Sequence, residues 1–508
     1  MTFHFAALTL QLAVAFAETG VTPPPFRLTI ASEPASISTL EQRSSGGSYL
    51  LNQLHAGLLE WRDGHLNPRL GRCQKTNAKQ ITCRLRPEFQ WSDGQPIEAQ
   101  QFVNTFQSFL DPKKPGLRAD LLFPLENAEA ILAGTKGKTS LGVKARSQPE
   151  QILEFQLRDG GLADEFLLNL SNPLLAPLAE PENHHPDPLK MKTSGPYSVV
   201  EWNKSGIYTL APNSFHGKNP NRPRLQFRIV TEDAVALTLF QKKELDFLRH
   251  LPTLYIPEFA KTVAFHKVPQ LRFDYFAFGP ALEKFPDLRA ALSLSLDFRE
   301  LKQLFSADEM PGCPGIPDAW YTPQTCIEFD LVTAQARFAK AQQQKTLWPP
   351  LRLVYSKAGG EDHDRAAQWL QAQWKKNLGV EVSLAQLDNK VFLNLIKTDP
   401  PPLFRRGLSP DRPSCQSVLD SFNPQANEPL LAVKDPTFLK ILNDFAKATT
   451  AAQKQKLCHL AMENLQKHFI LIPTGPLYFS ILVNPNWQGW QLNELNQLNL
   501  ADLHFIAP

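Results

Sequence analysis

Residues 351–387 alternate in a way that few folds accept. "LRLVYS" reads as a strand, "DRAAQWLQAQWKKNLG" as an amphipathic helix and "VEVSLAQL" as a second strand. The same switch between strand and helix spacing recurs upstream, where the strand "RLQFRIV" is followed by the helix "EDAVALTLFQKKELDFL", which leads into a short strand. Strands separated by helices of this length argue for α/β domains rather than a sandwich of sheets. At 508 residues the chain is too long for one ordinary core and should divide into roughly two to four domains.

Charge narrows the partners. Lys and Arg total 53 against 50 Asp and Glu, a net charge of +3, far from the basic excess that a nucleic-acid binder carries on one face. Nucleic acid is therefore not an expected partner. There are 43 prolines and 25 glycines, the reverse of the usual order of about 5% and 7%, so many connections should be extended and stiff. The first stretch, "MTFHFAALTLQLAVAFAETG", has an apolar run ending in the small-x-small pattern Ala15, Phe16, Ala17. It reads as a secretory signal over residues 1–17, although its leading segment has His4 and no Lys or Arg. No other apolar run approaches the roughly 18 residues that cross a membrane, so a soluble, exported chain is expected.

Six cysteines fit an oxidising compartment. Cys73 and Cys83 flank a polar turn between two strand-like segments, Cys313 and Cys326 bracket the proline-rich "PGIPDAWYTPQT", and Cys415 and Cys458 remain for each other. Disulfides are expected, with Cys73 to Cys83 foremost, although six cysteines allow about 15 pairings and spacing alone selects none of them. No Cys-x-x-Cys pair points to zinc.

Other apparent motifs dissolve on inspection. "GTKGKTS" at Gly134 lacks the first glycine of a phosphate loop, that position being Leu132. His184 and His185 sit in what reads as a solvated loop with nothing to complete a metal set. "EDHD" at Glu361–Asp364 reads as an acidic cap ahead of a helix. "GLADEFLLNLSNPLLAPLAEPENHHPDP" reads as a connection between modules, its prolines preventing a long helix. No Gly-x-Ser-x-Gly elbow occurs.

One unit is well specified. In "WSDGQPIEAQQFVNTFQSFLDP", Trp91 to Pro112, Asp93-Gly94 marks a tight turn, and Phe102, Val103, Phe106, Phe109 and Leu110 recur at helical spacing until Pro112 stops the helix. The Phe stripe reads as core packing rather than a ligand slot. The stretch resembles the signature segment of the family five extracellular solute-binding proteins, the oligopeptide- and dipeptide-binding receptors of ABC importers, in which an aromatic-x-Asp-Gly-x-Pro turn leads into a helix ending in Asp-Pro. Further landmarks of that family follow in order: "EPASI" at Glu33, "TSGPYSVVEW" at Thr193, "KKELDF" at Lys242 and "PDLRAALSLSLDFREL" at Pro286.

The resemblance implies an α/β, two-lobed, hinged clamp of the type II periplasmic-binding-protein kind with an additional inserted subdomain. Lobe I would comprise residues 21–62, 184–276 and 475–508, the insertion 63–183 and lobe II 277–474, with strands near "FDYFAFGP" and "PTGPLYFS" as the hinge. It further implies a non-enzymatic periplasmic receptor, without cofactor or metal, that holds an extended peptide by its main chain and termini and delivers it as a monomer to permease subunits in the inner membrane. The family's Gly-Trp-x-x-Asp-Tyr segment, which places its Asp on the peptide ammonium, corresponds to "LFRRGLSPDRPSC". Gly407 and Asp411 keep its spacing and Arg405 its arginine, whereas Leu408 replaces Trp and Arg412 replaces Tyr. The expected ligand-side residues are Glu33, Ala35, Arg405, Gly407, Leu408, Ser409 and Asp411. A bland role for Asp411, pairing with Arg405 or Arg412, competes with the ammonium role, as a capping role does for Glu33. The departures leave room for other functions: a cell-wall-peptide sensor or interaction protein, or a receptor for a nickel complex, haem or an opine.

Overall fold

The strand Phe26–Ile30 lies at the centre of the first sheet, with three of its five side chains wholly buried and both its neighbours parallel to it. Phe26 lies opposite Leu225 in the strand Leu225–Ile229, and Leu28 lies opposite Phe247. Seven strands form this sheet in the spatial order Phe265–Pro269, Tyr478–Val483, Phe247–Leu248, Phe26–Ile30, Leu225–Ile229, Ile207–Pro212, Tyr197–Trp202. Asp246 locks its centre, accepting from the Arg27 backbone at 3.0 Å, from Arg27 Nε at 2.8 Å and from Asn484 Nδ2 at 2.9 Å. The computed structural model describes residues 23–301, 312–313 and 326–506, apart from positions 32, 35, 42–44, 204–205, 218, 220, 358–359, 411, 426–430, 449 and 475–476. The expected signal segment, Ala35 and Asp411 therefore lie outside the described residues.

A second unit is inserted between the first two strand regions of that sheet. Its four strands are ordered Gly71–Asn77, Gln80–Leu85, Ile152–Gln156, Val143–Arg146, and the helix Ala99–Phe109 packs on them. That helix follows the turn read from the sequence: Gly94 has φ +82°, which favours glycine, and its N–H donates to the Trp91 carbonyl at 2.8 Å. Gln101 Oε1 then accepts from both the Glu98 backbone at 2.8 Å and Trp91 Nε1 at 3.0 Å, which fixes the first helical turn to the loop before it. Phe102, Phe106 and Phe109 are wholly buried, and the aromatic chain continues from Phe106 to Phe155 at 6.2 Å and from Phe155 to Phe166 at 5.1 Å. Phe166 belongs to the helix Ala163–Asn169, so the segment read as a connection instead supplies a buried element of this core.

The third unit is a five-stranded sheet in the order Ser383–Leu387, Arg352–Ser356, Leu403–Leu408, Phe273–Phe278, Leu471–Pro473. Its two apolar faces are covered separately. One face packs Phe276, Leu353 and Leu403 against Leu288, Leu292 and Trp374, and the other packs Tyr275, Val354 and Phe404 against Phe422, Phe438 and Met462. The strand-helix-strand unit read at 351–387 forms as expected, with Arg352–Ser356 parallel to Ser383–Leu387. The fold is thus two-lobed and α/β, with an additional inserted sheet. Among the described residues no helix is long and apolar enough to cross a membrane.

All six cysteines are paired, Cys73–Cys83, Cys313–Cys326 and Cys415–Cys458. The first lies across a hairpin at directly opposed positions, and the third closes a sequence separation of 43 residues, for which chain entropy implies about 4 kcal/mol of stabilisation. Thiol labelling of the denatured, unreduced protein is expected to find no free thiol, and labelling after reduction to find all six; any thiol labelled before reduction contradicts the pairing.

Candidate functional site

The chain passes between the seven-stranded and five-stranded sheets twice, once between Pro269 and Phe273 and once between Pro473 and Tyr478. The two passages lie side by side: Gln270 N donates to Leu477 O at 2.9 Å, and Thr474 donates to the Asp274 carbonyl from its N at 3.0 Å and from Oγ1 at 3.1 Å. Two adjacent passages that both cross from one sheet to the other are where a hinge between lobes can sit.

At the second-lobe end of this junction sits a buried ionic triad. Asp274, 2% exposed, accepts from Arg272 Nε at 2.6 Å and pairs with Arg405, which is 7% exposed. The register explains the meeting. Asp274 lies opposite Gly407, and Arg405 is two residues from Gly407 on the same face of the antiparallel pair. A Cβ at Gly407 would overlap the Asp274 carboxylate, so glycine is what lets the charge lie over the strand. Burial disfavours the ionised form of Asp274, yet the two guanidiniums outweigh it and hold its pKa near 2. Burial also lowers the Arg405 pKa to about 10. His363 adjoins the triad, its pKa held well below the usual histidine value by burial and by the Arg405 charge.

Contacts cross the gap between the lobes on both sides of this triad. Arg412 Nε pairs with Glu165 of the inserted unit, and Ser414 Oγ donates to the same carboxylate oxygen at 3.0 Å. Lys454 Nζ donates to the Gly161 carbonyl at 3.2 Å. On the other side Thr253 Oγ1 donates to Asp362 Oδ2 at 2.8 Å, and Asp362 also holds Arg365. The lobes are therefore drawn together in this structure.

The expected site residues divide. Arg405 and Gly407 meet at Asp274, whereas Leu408 turns into the apolar cluster of Tyr275, Phe404 and Phe422. Ser409 is exposed. Glu33 is exposed on the first lobe beside the Tyr208 hydroxyl, whose pKa is pushed up to about 12 by burial and by the Glu33 charge.

Two readings need correction. The acidic run "EDHD" is not a cap ahead of the helix, because the helix spans Gly360–Leu378 and includes it. Asp362 reaches across to Thr253 while Asp364 accepts from the Tyr355 hydroxyl and from Gln368 Nε2. His184 is not solvated either: its ring is 6% exposed, with Nδ1 3.1 Å from Glu41 Oε1. Asp274 and Glu165 were missed; a lone carboxylate inside the apolar "FDYFAF" was the only local sign of the first, and the second left none.

A family model described as bacterial extracellular solute-binding proteins, family 5 Middle, matches residues 72–429, more than half of the chain. The protein belongs to this family. Among relatives of this solute-binding protein, the probable deoxycholate-binding periplasmic protein YgiS of Escherichia coli (strain K12) is 25% identical over 483 residues, 90% of this chain and 88% of that one. The periplasmic murein peptide-binding protein MppA of the same strain is 24% identical over 502 residues, covering 94% and 92%. The structure of the Escherichia coli murein tripeptide binding protein MppA superposes with a TM-score of 0.81 at 21% identity, covering 96% of this chain and 99% of that one.

Proposed function

We propose that this solute-binding protein captures an extended peptide between its lobes, outside the cytoplasm, and hands it as a non-enzymatic monomer to the permease of an ABC importer. Family membership supports the reading, as does a relative of nearly full coverage named for periplasmic peptide binding. The observation that carries the mechanism is the bridge from Arg412 and Ser414 to Glu165, because it ties the second lobe to the inserted unit across the gap. Lobe I is assigned to residues 21–62, 184–276 and 475–508, the inserted subdomain to 63–183 and lobe II to 277–474.

In this reading Asp411 binds the peptide's α-ammonium, with Glu33, Ala35 and Ser409 along the ligand. Arg405 and Gly407 hold Asp274 and shape the strand, and Leu408 anchors it. A carboxylate enclosed by closing lobes loses hydration and recovers that loss only against a cation. Calorimetry of a peptide and its N-acetylated form tests this. Acetylation is expected to weaken binding to the wild type by about 100-fold or more, corresponding to roughly 3 to 5 kcal/mol for a buried pair, and to change binding to Asp411→Asn little. Equal losses in both proteins move the ammonium site elsewhere. A second reading, an amphipathic carboxylate in place of a peptide, is favoured by the relative named for deoxycholate binding; the mass of the bound ligand separates the two.

A further inference from the structure

Two separate elements of the second lobe reach across to the inserted unit, and both end on one short stretch of it. The segment after the strand Leu403–Leu408 supplies Arg412 and Ser414 to Glu165, and the helix Ala451–Lys467 supplies Lys454 to the Gly161 carbonyl. The two elements are themselves joined. Cys415 directly follows Ser414, and its disulfide partner Cys458, wholly buried, lies one helical turn beyond Lys454. The bond therefore fixes the spacing of the donors that Glu165 and Gly161 receive.

Local chemistry holds each side in shape. Ser414 caps the helix Cys415–Asp420, its Oγ accepting from Ser417 N at 3.3 Å while its hydroxyl proton goes to Glu165. On the inserted unit, Asp159 accepts from Gly161 N at 2.9 Å. A Cβ at Gly160 would lie 3.0 Å from Ala78, in the turn of the hairpin that Cys73–Cys83 staples, and Leu157 N donates to the Lys79 carbonyl of that turn at 2.8 Å. A stiff corner thus meets a stiff seat, each braced by a disulfide. Arg412 and Glu165 are 9% and 15% exposed, which puts their attraction above that of a surface pair. Arg412 also has a carboxylate of its own lobe, Asp420, at 3.9 Å. When the lobes part, the arginine keeps a counter-ion and Glu165 returns to water, so the contact can be made and broken without stranding a charge.

We propose that this corner and seat are a latch: the inserted unit holds the second lobe shut and slows release of the ligand, and Cys415–Cys458 positions the seat. The slowing of release rests on the peptide-receptor reading; the contact and its dependence on the disulfide do not.

Hydrogen–deuterium exchange of the full chain, stripped of ligand by unfolding without reductant and refolding, tests the latch. Glu165→Gln keeps the shape and removes the charge. It should speed amide exchange about tenfold or more in both 160–166 and 412–418, because one contact protects both. Cys415→Ala with Cys458→Ala should speed exchange at 160–166 as well, in a different unit of the chain. Cys313→Ala with Cys326→Ala removes another staple of the second lobe and should leave 160–166 as in the wild type. Exchange at 160–166 that is unchanged in Glu165→Gln overturns the latch, a result that stands even where the double-alanine variant does not fold. Exchange raised equally by both cysteine replacements overturns the positioning role of Cys415–Cys458. The second arm loads each protein with a random pool of three- to five-residue peptides, dilutes it and times their loss by mass spectrometry. Glu165→Gln should lose them about tenfold faster. Faster exchange with unchanged loss overturns the effect on release, whereas capture of no peptide by the wild type removes the peptide reading and leaves the exchange result to decide the latch.

Discussion

Replacing Asp274 with alanine should lower stability by about 3 to 5 kcal/mol, the range for breaking a buried ion pair from one side. The carboxylate is 2% exposed and is shared by Arg272 and by Arg405, itself 7% exposed. Its removal takes from the buried Arg405 guanidinium the carboxylate it pairs with, in a place too enclosed for bulk water to make up the loss. The main-chain bonds from Thr474 to the Asp274 carbonyl survive the substitution, so the loss would report the charge rather than the passage between lobes. Urea unfolding measures it. The double variant Asp274→Leu, Arg405→Met should lose less than Asp274→Ala alone, because apolar groups of similar volume remove the unpaired charge as well. A loss below about 1 kcal/mol in Asp274→Ala would mean that the triad is solvated like a surface pair.

Acid should weaken the protein from about pH 6.5 downward, ahead of most carboxylate titration. His55 is wholly buried, with Nε2 3.4 Å from the Ile37 carbonyl oxygen, and burial holds its pKa near 4 against an ordinary 6.5. His216 donates from Nδ1 to the Ser194 carbonyl at 2.9 Å and lies near the cations Arg69 and Arg222; burial and then those charges push its pKa well below 6.5. His363 shifts in the same direction. Each ring is neutral in the folded chain and takes up a proton when the chain unfolds, so the unfolded state binds more protons between the two pKa values. The stabilisation is complete above pH 6.5 and is lost as pH falls towards the folded values. For His55 alone the shift corresponds to roughly 3 kcal/mol. Asp274 adds a later loss as pH falls from its ordinary 3.8 towards about 2. Urea midpoints measured from pH 8 to pH 4.5 should fall steadily below pH 6.5, and His55→Gln should flatten part of that slope. A midpoint constant from pH 7 to pH 4.5 contradicts the buried neutral histidines.

What could be read in advance was local. Asp93-Gly94 marks a turn, and Phe102, Phe106 and Phe109 repeat at helical spacing, so the inserted unit's helix and its buried face were legible from some twenty consecutive residues. The Cys73–Cys83 hairpin was legible for the same reason. The junction was not, because its partners are far apart along the chain: Arg405 and Asp274 are separated by 131 residues, Arg412 and Glu165 by 247. No periodicity records which strand will lie beside which, and the face that each residue of "FRRG" takes depends on that pairing. Once the register is known, Arg405 falls on the face of Asp274 and Arg406 on the face of Tyr275. The acidic run at Glu361–Asp364 failed for a related reason. Helix-start chemistry accounts for carboxylates there, but only the folded chain brings Thr253 and Tyr355 to them.

A peptide held between the lobes should stay bound through gentle purification, and native mass spectrometry of protein purified from its exporting host without refolding detects it. Bound species of a few hundred daltons are expected that fragment as peptides, dissociate on acidification and are depleted in Asp411→Asn. A protein that emerges with a bound species that does not fragment as a peptide, or that remains empty when offered a random pool of three- to five-residue peptides, would contradict the peptide reading.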